Sequence, residues 1–142
     1  MIKINKDFFT DSDILFVGYS SRNKAYSNMV FEAFTNNNIK VYPFNTKDNA
    51  DFDIKVYKKF SELPMIPQTA YVLLNKTSAA KAVNHLIDNG VKKILFYNKN
   101  MVDPATLEEC DKAGVVTAYG CPLMVYNGGI HKLHSFFAGV KN

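Results

Sequence analysis

Short apolar runs alternate along the chain with stretches whose apolar positions recur every three or four residues. That alternation predicts βαβ units and a parallel sheet. The first run, Ile14-Leu15-Phe16-Val17, is apolar without interruption, as a strand covered on both faces requires, and it ends at Gly18. Met29, Val30, Ala33 and Phe34 then make one helical stripe, starting near Ser27 and stopped by Asn36-Asn37-Asn38. A second strand, Ile39-Lys40-Val41-Tyr42, ends at Pro43, which has no amide proton to donate to a ladder.

Residues 45–53 are polar and read as loop, followed by a short edge strand at Lys55-Val56-Tyr57 and a turn of helix at Phe60-Ser61-Glu62-Leu63. Ala70-Tyr71-Val72-Leu73-Leu74 is a third buried strand. It leads to a helix that Thr77 or Ser78 can cap, with Ala79, Ala80, Val83, Leu86 and Ile87 as its stripe. Ile94-Leu95-Phe96-Tyr97 is the fourth strand. Asp103-Pro104 opens a further helix, with Leu107, Cys110 and Ala113 facing inward, and Val115-Val116-Thr117-Ala118 is the fifth strand. Leu133, Phe136, Phe137 and Val140 predict a last amphipathic helix, and Phe8 and Phe9 read as a hydrophobic lid on one edge. The expected fold is α/β, a three-layer Rossmann-like, doubly wound and mostly parallel five-stranded sheet, forming one domain over residues 1–142.

Composition narrows the class. With 47% hydrophobic and 21% charged residues among 142, the chain has the make-up of a folded globule, which at this size buries roughly 70% of its unfolded surface. The N-terminus does not read as a signal peptide and no apolar run approaches a membrane span, so a cytoplasmic protein without membrane contacts is expected. Cys110 and Cys121 are too few for a disulfide framework and read as free thiols. The net charge of +4 is dispersed as single lysines and the pairs Lys58-Lys59 and Lys92-Lys93. That pattern is no nucleic-acid arm, but it suits a binder of small polyanions.

Ligands of doubly wound sheets sit beyond the carboxyl ends of the strands. After the first strand stand Gly18, Tyr19, Ser20, Ser21, Arg22, Lys24, Tyr26 and Ser27: a glycine lets backbone approach a phosphate, and hydroxyls, cations and the following helix start all favour an anion. The loop is neither a G-x-G-x-x-G fingerprint nor a P-loop. The second strand ends in Asn45-Thr46-Lys47 without the acid that NAD-binding sites place there, and a lysine suits a phosphorylated ribose, as in coenzyme A or NADP. Asn75, Lys76 and Thr77 open the helix after the third strand, and Cys121-Pro122 follows the fifth. His131 and His134 share a helical face, but no third ligand accompanies them, and His85 reads as solvated. No nucleophile and base pair is recognisable.

Four segments together resemble the small bacterial CoA-binding proteins related to the CoA-binding domain of succinyl-CoA synthetase. They are Val17-Gly18-Tyr19-Ser20 with Tyr26-Ser27, Val41-Tyr42-Pro43-Phe44-Asn45-Thr46-Lys47 (similar to the family's P-V-N-P-K), Phe60-Ser61-Glu62-Leu63-Pro64, and Cys121-Pro122. The likeness runs from about Asp11 to Tyr126. It implies a Rossmann-like fold that binds coenzyme A or an acyl-CoA, with the nucleotide near the first loop and the P-V-N-P-K stretch, and no established reaction. The chain departs from the family at the cleft: Lys76 stands near the usual arginine, and Phe96-Tyr97-Asn98-Lys99 replaces a tryptophan and a Q-x-G stretch. The expected function is a binding or regulatory module for a nucleotide ligand. The alternative is an NADP-dependent oxidoreductase or a subunit of an acyl-CoA ligase.

Overall fold

The computed structural model describes residues 1–20, 24–46 and 54–126. Its sheet is wholly parallel and has six strands: β1 (Ile2–Lys3), β2 (Asp13–Val17), β3 (Lys40–Phe44), β4 (Thr69–Val72), β5 (Lys93–Phe96) and β6 (Val116–Tyr119). Three helices connect them: α1 (Lys24–Asn36), α2 (Lys76–Asp88) and α3 (Pro104–Lys112). In space the strands run β1-β6-β5-β4-β2-β3. The chain therefore leaves β2 toward β3 on one side and returns to β4 on the other, which puts the topological switch at the carboxyl end of β2.

The extra strand is β1, which pairs Ile2 with Ala118 and Lys3 with Tyr119. Two residues carry no periodicity, so it had no signature of its own. The edge strand expected at residues 55–57 is reduced to a single bridge between Phe44 and Tyr57, and the turn of helix at Phe60–Glu62 is a 3-10 turn. The last predicted helix lies outside the described residues.

Strand alternation divides the core into two sides. Ile14 and Phe16 of β2, Tyr71 of β4 and Leu95 of β5 pack with Val30 and Phe34 of α1, while Leu15, Val17, Ala70, Val72, Ile94 and Phe96 pack with Val83 and Leu86 of α2 and Cys110 of α3. Burying side chains of this size stabilises by roughly 1.5–3 kcal/mol each. Phe9 is the lid the sequence suggested: its ring meets Phe34 edge-on at 5.3 Å and lies 5.7 Å from Tyr126, over the α1 side.

Helix α2 is capped two residues or more earlier than the sequence reading indicates. Asn75, not Thr77 or Ser78, is the cap, its side-chain oxygen accepting from the Ser78 N–H at 2.9 Å. Asn75→Ala should cost about 1 kcal/mol in a urea melt, because one orphan donor of the first turn is lost. A variant as stable as the parent would show that the first turn is held by something else.

The α2 and α3 side is unevenly covered. Helix α2 links β4 to β5, whereas the connection from β3 to β4 offers, among the described residues, only the 3-10 turn at Phe60–Glu62. Where a doubly wound fold would place a helix against β2 and β3, the described residues of this connection form none beside α2.

Candidate nucleotide site

Gly18 sits at the switch point, with φ of +90°. Its N–H donates to the Phe44 carbonyl at 2.8 Å, and the Leu73 N–H donates to the Val17 carbonyl at 2.9 Å. A Cβ on Gly18 would run into the Leu73 carbonyl oxygen and come within 2.8 Å of Leu74 Cδ2. The residue is a glycine because two neighbouring strands close on it, whatever occupies the cleft above.

From this point a cavity of about 480 Å³ opens between α2 and residues 58–60. Its floor and walls are apolar: Val17, Leu74, Ala82 and Leu86 on the sheet and helix side, and Phe44 with Phe60 opposite, their rings 4.8 Å apart. Its rim carries Lys58 and Lys59 from the connecting segment and Lys81 and His85 from α2. Ser78, Lys81, Ala82, His85 and Leu86 are spaced three and four apart, so a single stripe of α2 forms one wall. Among the described residues, no carboxylate lines the cavity. Glu62 Oε1 accepts the N–H groups of Lys58 at 2.9 Å and Lys59 at 3.0 Å, which fixes the turn presenting both lysines. Those two bonds hold the Glu62 carboxyl below its ordinary range.

Of the residues singled out in the sequence, Gly18 and Asn45 line this cavity. Asn45 is held there by its N–H on the Tyr57 carbonyl at 2.9 Å and its side-chain amide on the Tyr19 carbonyl at 3.0 Å. Asn75, Lys76 and Thr77 stand exposed at the start of α2 and are not part of the lining. Lys24 is exposed at the start of α1. Ser21, Arg22 and Lys47 lie outside the described residues, as do His131 and His134.

The other singled-out residues gather on the α1 side. Tyr19 is buried, its hydroxyl 2.5 Å from Asn28 Oδ1, and Ser27 is buried with its hydroxyl 3.4 Å from the Ser20 N–H. Tyr26, from the first turn of α1, reaches over the sheet: its hydroxyl lies 3.0 Å from that of Tyr71 and 2.9 Å from Cys121 Sγ. Burial pushes both phenols far above their ordinary range. It raises the Cys121 thiol too, against hydrogen bonds from Tyr26 and the backbone that pull the other way. Pro122 is buried as the first residue of the 3-10 turn Pro122–Met124, which holds Cys121 at the end of β6.

Lys58, Lys59, Phe60, Lys81 and His85 line the cavity without having been singled out as site residues in the sequence; His85 is exposed there, in keeping with its reading as solvated. The stripe Ser78-Lys81-Ala82-His85-Leu86 was a readable signal, because a helix carrying apolar residues on two adjoining faces must present the second to something. Lys58-Lys59 had no local signal beyond being a charged pair.

A protein-family model described as "CoA binding domain" matches residues 12–127, which takes in β2 to β6 and the whole cavity. The chain belongs to the CoA binding domain family. No curated protein is similar enough in sequence to count as a relative. Among solved structures, this CoA binding domain is similar to a PH1109 protein redesigned for binding, with a TM-score of 0.70, 21% identity and 81% of each chain covered. A conserved hypothetical protein from Pyrococcus furiosus has a TM-score of 0.65 at 21% identity, over 78% of this chain and 94% of its own. A hypothetical protein from Pyrococcus horikoshii OT3 has a TM-score of 0.67 at 19% identity, over 80% and 79%. At such identities the likeness establishes the Rossmann-like fold. No helix among the described residues is long and apolar enough to cross a membrane.

Proposed function

We propose that the protein binds coenzyme A, with the adenosine end in the cavity beside α2 and the pantetheine arm crossing the carboxyl ends of the strands toward Cys121, as a binding module without a reaction of its own. The observation that carries the reading is the cavity itself: apolar walls suited to a planar base, a rim of three lysines and a histidine, no lining carboxylate among the described residues, and a position at the switch point of the sheet. A rim of this kind favours a phosphorylated ribose over the free diol that an acidic residue would hold.

The arm has a definite distance to cover. Three strand spacings separate β2 from β6, which at ~4.8 Å each is about 14 Å. Cys121 lies at the far end of that path, and burial keeps its thiol protonated at neutral pH. A protonated thiol is a poor nucleophile, which supports binding over covalent chemistry. Cys121 and Pro122 therefore enter as a wall for the arm.

Calorimetric titration with coenzyme A, dephospho-CoA, NADP and ATP tests the reading. Coenzyme A should bind tightest, and dephospho-CoA about ten-fold more weakly, since a charged hydrogen bond is worth ~1.5–3 kcal/mol. Binding of NADP or ATP without binding of coenzyme A would overturn the assignment.

A further inference from the structure

Glu62 follows two of the rim lysines closely in the chain, yet its carboxylate bonds their backbone and not their ammonium groups. Its Oε1 accepts the N–H of Lys58 at 2.9 Å and that of Lys59 at 3.0 Å, and the Glu62 N–H donates back to the Lys59 carbonyl at 3.1 Å. Among the described residues, neither ammonium group forms an ion pair. We propose that Glu62 is a positioning residue for the ligand's phosphates: without touching the ligand, it holds the backbone of Lys58 and Lys59 in the conformation that presents both cations at the cavity rim. The inference rests on the coenzyme A reading and adds to it an acidic residue that strengthens the binding of an anion.

The segment is fixed at both ends by other means. At its start the Tyr57 N–H donates to the Pro43 carbonyl at 2.8 Å and the Tyr57 carbonyl accepts from the Asn45 N–H at 2.9 Å, which ties the backbone to the end of β3. At its end Leu63 is buried, and Pro64 favours an extended backbone in the residue before it, which has ψ of 135°, so the 3-10 turn stops at Glu62. Phe60 is held by its ring, 4.8 Å from that of Phe44. Lys58 and Lys59 lie between these anchors, just ahead of the turn, where backbone N–H groups have no partner within the helix. Both are exposed, so water could satisfy them. Glu62 Oε1 puts one fixed atom in place of water, and two bonds from adjoining residues to that atom restrain both backbones together.

Charge alone predicts the opposite effect on binding. A carboxylate close to two ammonium groups weakens the positive potential that a phosphate meets, so its removal should tighten the binding of any polyanion. Its removal would also free two successive backbone N–H groups, an arrangement that can itself attract an anion. Positioning predicts a loss instead, because a segment that must be ordered as the ligand arrives takes that ordering out of the affinity. Glutamine separates the two effects. Its amide oxygen can accept both N–H groups, and it carries no charge.

Coenzyme A affinity would be measured by calorimetry on the whole protein, on Glu62→Ala and on Glu62→Gln, each also combined with Lys58→Ala and Lys59→Ala, and urea melts would show that every form is folded under the conditions used. Glu62→Ala should weaken binding about five-fold, the scale of ordering one loop side chain on association. Glu62→Gln should stay within about two-fold of the parent, since an exposed charge contributes little by itself. Without the two lysines the backbone bonds to Glu62 present no cation, and Glu62→Ala should then change affinity by less than about two-fold. Amide hydrogen exchange at residues 58 and 59, read without ligand, should quicken in Glu62→Ala and not in Glu62→Gln. Four results overturn the positioning role while leaving coenzyme A as the ligand: tighter binding by Glu62→Ala, a loss in Glu62→Gln equal to that in Glu62→Ala, the same loss when the lysines are gone, or unchanged exchange in Glu62→Ala. Absence of coenzyme A binding by the parent overturns the underlying reading, and this one with it.

Discussion

Gly18→Val should cost the protein roughly 2–6 kcal/mol of stability, the sum of forcing a branched side chain into a positive-φ conformation and of overpacking a closed site. The backbone at Gly18 has φ of +90°, where L side chains are strained before any contact is counted. The new Cβ would also strike the Leu73 carbonyl, a backbone group in the chain leaving β4, and Leu74 Cδ2 at 2.8 Å. Leu74 is a flexible end that can give way; Leu73 is tied through its N–H to the Val17 carbonyl and cannot move without loosening β2 from β4. A urea melt should show the lowered midpoint, and coenzyme A titrated below that midpoint should bind weakly, because the cavity begins at this residue. A valine variant with the parent's midpoint and lost binding would return the glycine to the ligand. The sequence argument read this glycine as room for a phosphate, and the structure supplies a reason of its own, the turn itself.

The fold was legible because its strands are buried on both faces. Ile14-Leu15-Phe16-Val17 and Ile94-Leu95-Phe96 have no polar alternation, which only a sheet sandwiched between helices tolerates, and every helix between them carries a stripe that meets the core. Caps were readable where residue type and position coincide: Asp103 before Pro104 accepts from the Thr106 N–H at 2.7 Å. At α2 the better cap, Asn75, stood next to plausible substitutes in Thr77 and Ser78, and periodicity does not locate a boundary to one residue. β1 is invisible in principle, since its two residues become a strand only when β6 offers an edge.

The cavity was half legible. Strand-end logic found Gly18 and Asn45, because the carboxyl end of each strand is fixed once the sheet is known. Its other residues came mostly from the starts of α1 and α2, where a dinucleotide fold holds its phosphates, with Lys47 after the second strand and Cys121-Pro122 after the fifth. The cavity lies along the side of α2, where the described residues of the connection from β3 to β4 form no helix, and a helix that does not form leaves no motif to read. Lys58, Lys59, Lys81 and His85 come from two segments more than twenty residues apart in the chain, and only the crossover brings them to one rim. Tyr26, Tyr71 and Cys121 illustrate the converse: three polar atoms in hydrogen-bonding contact, from α1, β4 and the end of β6, each with an ordinary local reading.

Reversing two rim charges from different elements should affect binding most. In Lys59→Glu combined with Lys81→Glu, both walls of the cavity turn acidic, and the ligand's phosphates lose two attractions and meet two repulsions. Each charged contact is worth ~1.5–3 kcal/mol when sheltered, and both lysines are exposed enough for solvent to reduce that, so a loss of about a hundred-fold in coenzyme A affinity is expected. Stability should hardly change, because neither lysine is buried or ion-paired among the described residues. Lys92→Glu with Lys112→Glu is the control. It removes the same net charge from a chain that starts at +4, but at exposed positions outside the cavity, Lys112 being engaged with Glu108 at 3.6 Å and Glu109 at 3.9 Å on α3. General attraction between a basic protein and a polyanion would weaken both double variants alike and fade together in both as salt is raised past 0.15 M, where the screening length is about 8 Å. A site at the cavity instead predicts a large loss in the first variant and a loss within about two-fold in the second, with a gap that narrows at high salt without closing, since the repelling carboxylates sit against the bound phosphates at well under that distance. Equal losses in the two would remove the cavity from the binding surface and leave the carboxyl ends of β4 to β6 as the place to look.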